Sequence, residues 1–102
     1  MSIKIELMKK ELEIKISQLI GLFGYLIYIE DFRAYRRIKS NYEILFENLT
    51  QNEIIRDEDF VVIQSSLRVF DEAPPKDKVF GKYVLTKMED IYELKNKIGK
   101  ME

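Results

Sequence analysis

The chain has 102 residues, 46% hydrophobic and 34% charged, with a formal net charge of −1 and neither histidine nor cysteine. Lacking those two side chains, it has no means for Ser-His-Asp or Cys-His catalysis, zinc fingers, carboxylate–histidine metal sites or a disulfide framework. The length is that of one domain, 1–102, and the near-neutral charge gives no global pull toward nucleic acid or an acidic membrane.

The branched and aromatic residues are too many for a disordered chain. Ile, Lys, Glu, Asn and Tyr are abundant and alanine occurs only twice, a bias that suits AT-rich coding in a bacterium or phage. Scarce alanine also makes helices pack through bulky side chains. The opening Met1-Ser2-Ile3-Lys4 lacks the basic-then-apolar order of a signal peptide, so a cytoplasmic location is the expectation.

The first predicted element runs from Ile3 to Ile20. At 100° per residue, Ile5, Met8, Leu12, Ile16, Leu19, Ile20 and Phe23 share one face. The alternation in Ile3-Lys4-Ile5-Glu6-Leu7 and Leu12-Glu13-Ile14-Lys15-Ile16 also suits paired strands, which leaves an N-terminal β-hairpin as the rival reading. Gly21 and Gly24 then predict a bend or tight turn, because glycine commonly closes a helix and the apolar stripe rotates there. Ile16–Ile29 is uncharged for fourteen residues, short of the ~20 a spanning helix needs. Core burial is therefore expected of it, with membrane association a third-ranked reading.

The second element, Tyr25 to Leu49, carries Tyr28, Tyr35, Tyr42 and Leu49 at seven-residue spacing. Ile38 and Leu45 interleave, Asp31 breaks the seam, and Phe32 and Phe46 widen its face. Core packing is the expected role, with self-pairing of two copies as an addition. Thr50-Gln51-Asn52-Glu53 has capping-box spacing and predicts a new turn or short helix. The third element, Glu58 to Asp71, places Phe60, Ile63, Leu67 and Phe70 on a helical seam. Its branched residues also allow a strand or a hairpin through Ser65-Ser66. Ala73-Pro74-Pro75 interrupts any helix. The last element, Lys76 to Ile98, aligns Phe80, Val84, Met88, Ile91, Leu94 and Ile98. Asp77 is placed to cap its start, Gly99 to end it, and Lys95, Lys97 and Lys100 to oppose its dipole.

The expected architecture is an all-α compact bundle of about four amphipathic helices, with α+β and an N-terminal β-hairpin as the alternative. Arg33, Arg36, Arg37 and Lys39 put four cations into seven residues and are the candidate binding residues. Arg33, Arg36, Arg37 and Ser40 share an outward helical face, and guanidinium groups suit phosphate or carboxylate recognition. Glu30, Glu43 and Glu47 lie close enough to neutralise that face, which favours a solvated face or a rim for an acidic protein partner over nucleic acid. Glu89/Asp90/Glu93 and Asp57/Glu58/Asp59 have neither the spacing of a calcium loop nor that of a di-metal bundle, so no metal, cofactor or catalytic residue is expected. The leading expectation is a non-enzymatic interaction protein of the immunity, antitoxin, inhibitor or adaptor kind. A nucleic-acid module using Arg33, Arg36, Arg37 and Lys39 is the alternative.

Overall fold

A computed structural model describes residues 3–52 and 56–101. They form four helices, α1 (Ile3–Glu30), α2 (Arg33–Asn52), α3 (Asp57–Glu72) and α4 (Lys78–Met101), with no strand among the described residues. The helices run up-down-up-down. α1 and α3 each pack against both α2 and α4, so the four close a ring around one apolar core. This is an all-α four-helix bundle; the hairpin and strand alternatives for residues 3–16 and 60–70 do not occur.

The core is built from the seams that the spacing marks. Leu12, Ile16, Leu19 and Phe23 are buried on α1, Ile63 and Phe70 on α3, and Val84, Met88, Ile91 and Ile98 on α4. Each such Leu or Ile contributes about 1.5–3 kcal/mol by leaving water. Phe23 meets Phe70 edge-on across the diagonal, with ring centroids 5.5 Å apart, and Tyr35 lies 6.1 Å from Phe23 and 6.0 Å from Phe70. One aromatic cluster thereby ties α1, α2 and α3 together.

The largest departure from expectation is at Gly21 and Gly24. α1 runs straight through both and continues to Glu30. A glycine inside a helix costs ~1 kcal/mol, but the burial of Phe23, between the glycines, and Leu26, after them, exceeds that cost. The turn falls instead at Asp31-Phe32. There the Phe32 carbonyl accepts from the N–H groups of Tyr35 and Arg36, and the Asp31 carboxylate holds the Arg36 guanidinium at 2.6 Å. The apparent rotation of the stripe arises because Tyr25 to Glu30 belong to α1. Tyr28 is therefore not part of the tyrosine seam: it is 85% exposed on α1, while Tyr35, Ile38, Tyr42, Leu45 and Leu49 are buried on α2.

Helix ends differ in detail from the sequence reading. The Asp77 carboxylate accepts from the Phe80 N–H at 3.0 Å and caps α4 as expected. Thr50 caps nothing: it lies in the last turn of α2 and its hydroxyl donates to the Glu47 carbonyl at 3.0 Å, while Glu53 lies outside the described residues. The start of α3 is held by Asp59, whose carboxylate accepts from the Arg56 N–H at 3.0 Å. Gly99 does not end α4, which continues to Met101. Lys95 does not face solvent; it is buried, with its ammonium 5.3 Å from the centre of the Phe60 ring. Aliphatic stems of lysine pack well in this way while the charge meets an aromatic face.

Candidate functional site

The four candidate cations all sit in the first two turns of α2, which has no acidic residue in its first turn. The helix begins at Arg33 because the Asp31-Phe32 turn reverses the chain there. The positive end of the helix dipole and the guanidinium groups thus share one place, and an anionic partner is favoured by both. Core residues Tyr35, Ile38 and Tyr42 fix the rotation of α2, so Arg33, Arg36, Arg37 and Ser40 face outward and are exposed.

The cluster then divides. Arg36 is engaged by Asp31, with Nε donating at 2.8 Å and a second nitrogen 2.6 Å from the same carboxylate oxygen. Lys39 turns sideways toward α1. Its stem passes 3.7 Å from where a side chain at Gly24 would begin, and its ammonium lies 3.5 Å from the Glu43 carboxylate. Arg33 and Arg37, one turn apart, form no ion pair with any described residue. Of the neighbouring carboxylates, Glu30 accepts from the Lys76 backbone N–H at 3.1 Å, and Glu47 accepts from the Gln51 amide at 3.3 Å. Asp31, read from the sequence only as a break in the tyrosine seam, is the group that divides the patch. Its position two residues before the first arginine was the available signal.

Beside Arg33 and Arg37 the same side of the bundle exposes Phe32 at 42% and Ile44 at 55%. The period of α2 places Ile44 seven residues after Arg37, on the same outward face. The surface therefore mixes two guanidinium groups, an aromatic ring and an aliphatic side chain, with Glu43 and Glu47 on its flank. Arginine and aromatic residues are the groups that dominate binding energy at protein interfaces.

The carboxylate sets do other work. Asp59 is buried as a cap acceptor, while Asp90 and Glu93 line an open cleft of 680 Å³ between α1 and α4 together with Lys4, Lys15 and Lys97. No group of three or more acidic side chains placed to hold a metal ion occurs among the described residues. The two buried phenols are far from neutral-pH chemistry. Tyr35 is pushed up to about 12, chiefly by burial and secondarily by the Glu30 carboxylate, and burial pushes Tyr42 up as well. The arrangement around Arg33 can dock an anionic or amphipathic surface.

α1 is long and apolar enough to cross a membrane by length and composition alone. The fourteen uncharged residues understated its apolar length, because the helix does not break at the glycines. Yet Leu12, Ile16, Leu19, Phe23 and Leu26 are buried against the rest of the bundle, as in the core helix of a folded domain. Comparison with protein-family models, curated proteins and solved structures finds no significant match.

Proposed function

We propose that this bundle is a non-enzymatic interaction protein that binds an acidic protein partner through the N-terminal half of α2. The observation that carries the reading is the division of the basic cluster. Arg36 and Lys39 are engaged within the chain, while Arg33 and Arg37 project beside exposed Phe32 and Ile44 with no ion pair to a described residue. Two unengaged guanidinium groups beside apolar side chains suit a carboxylate-bearing protein surface. A nucleic-acid module would be expected to carry a basic excess, and this chain, with 17 basic and 18 acidic residues, has none, which weakens that alternative.

The test is site-specific photo-crosslinking in the native cell, with the crosslinking residue at Ser40, between the arginines and Ile44, and a control at exposed Val61 on α3. The expected result is a protein adduct from Ser40 that the R33E/R37E double variant loses, with none from Val61. Adducts to RNA or DNA, or no adduct from Ser40, would overturn the reading. Circular dichroism on the double variant checks that the fold is intact.

A further inference from the structure

The outward face of α1 exposes more large apolar side chains than that of any other helix among the described residues. Ile3, Leu7 and Ile14 are exposed at 75%, 66% and 53%, and Tyr25 and Tyr28 at 53% and 85%. These positions are spaced by four, seven, eleven and three residues, which keeps them on one helical face opposite the buried stripe of Leu12, Ile16, Leu19, Phe23 and Leu26. A second apolar seam of period near 3.5 thus runs along the solvent side of a helix that already has a core seam. Ser17 and Gly21 occupy its middle, and nothing lies within 4 Å of where a side chain at Gly21 would begin.

We infer that this face pairs with a second copy of the chain, α1 against α1 in antiparallel fashion about a two-fold axis near Ser17-Gln18. The inference goes beyond the proposed binding surface, because it uses a different helix and does not depend on Arg33 or Arg37. The seam is graded: aliphatic at its N-terminal end, small at its centre, aromatic at its C-terminal end. An antiparallel two-fold sets the aliphatic end of one copy on the aromatic end of the other, a self-complementary contact. Ile14 then faces the hollow at Gly21 of the second copy. Lys10, the one charge on the seam, lies 3.7 Å from the Glu13 carboxylate on the same helix and approaches the Tyr25 ring of the second copy, where a cation is attracted to the aromatic face. A parallel pair would instead set Lys10 on Lys10 and align the helix dipoles unfavourably.

The available area is adequate. A helix of 28 residues is ~42 Å long, and half the circumference of a cylinder ~11 Å across gives ~700 Å² on each copy. Exposed Val79 and Tyr83 on α4 extend the aromatic end, since Tyr25 is 5.5 Å from Phe80 and Phe80 is 6.4 Å from Tyr83. This outward surface is comparable in size with the ~800 Å² per partner that a standard specific interface buries, and a second helix covers a strip of it, which suits a weak to moderate pair. The buried tyrosine seam of α2, by contrast, has no surface to offer a second copy.

The test is sedimentation equilibrium on the full chain without lipid, from about 1 µM to about 1 mM, a range that brackets weak to moderate affinity. The wild-type chain is expected to reach twice its 12.2 kDa mass. Gly21→Gln adds a side chain where the monomer has open space, so helicity and melting should hold while dimer dissociation weakens at least tenfold. Ile14→Glu should weaken it similarly. A wild-type chain that stays monomeric throughout, or a dimer that both variants leave unchanged, overturns the inference. So does a monomeric wild type that floats with phospholipid vesicles and loses that association on Ile14→Glu, since the face would then belong to lipid.

Discussion

Tyr35 and Tyr42 lie two turns apart on the same buried stripe of α2, yet their hydroxyls have opposite circumstances. The Tyr35 hydroxyl donates to the Ala73 carbonyl at 2.8 Å and ties the start of α2 to the end of α3. The Tyr42 hydroxyl is buried without a hydrogen-bond partner among the described residues. A buried unpaired polar group costs ~1–3 kcal/mol, while a made bond contributes ~1 kcal/mol net. Tyr35→Phe should therefore lower stability by about 1 kcal/mol, and Tyr42→Phe should leave it unchanged or raise it. Urea denaturation of both variants distinguishes the two; equal losses would contradict the assignment. The sequence marks both residues as core through their seven-residue spacing. It does not say which hydroxyl finds an acceptor, because Ala73 is 38 residues from Tyr35 and is placed by tertiary packing. The same holds for the basic cluster. Four cations in seven residues are plain to read, but the division into engaged and unengaged pairs depends on the turn at Asp31.

At the level of elements, glycine has two different meanings in this chain. Gly21 faces open space on α1, and α1 continues past it and past Gly24. Gly81 is buried in α4, and a side chain there would begin 3.1 Å from the ring of Pro75. The proline pair that ends α3 folds back onto α4 at this point, and a Cβ there would push the Pro75 ring back by a few tenths of an ångström. Gly81→Leu should thus cost about 1–3 kcal/mol by overpacking, despite better intrinsic helix propensity. Thermal melts beside Gly21→Gln are the check; equal melting temperatures would show that Pro75 moves aside freely. The apolar seams of α3 and α4 and the Asp77 cap were legible because local spacing and capping chemistry decide them. The glycine stop was misread because local propensity gave way to the burial of Phe23 and Leu26. The exposed seam of α1 escaped notice for a related reason: with apolar residues almost all round the helix, periodicity selects the core face and leaves the rest unassigned.

The whole molecule has no side chain of ordinary pKa between about 5 and 8, because it has no histidine. Its pH sensitivity should come at the alkaline end. Tyr35 is raised in the folded state from 10.0 to about 12 and Tyr42 is raised too. Both folded phenols hold their protons more tightly than the unfolded chain does. Their contribution is complete below about pH 10 and is lost as pH rises from there through about 12, since the unfolded state releases its protons first. Melting temperature should accordingly be flat from about pH 7 to about 9 and fall above about 10. The Y35F/Y42F double variant should show a shallower fall; an identical alkaline profile would place the sensitivity elsewhere.

Among the described residues α1 carries no fully buried side chain before Leu12, and the apolar side chains of its first turns that pack inward, Ile5 and Met8, are only half-buried. Little apolar area is lost when those turns unwind, so this arm opens at far lower free energy than the aromatic cluster at the other end of the bundle. Ile3 and Leu7 ride on the same arm. Any molecule that covers them freezes the arm as well as binding to it, which makes the order of that end a function of protein concentration.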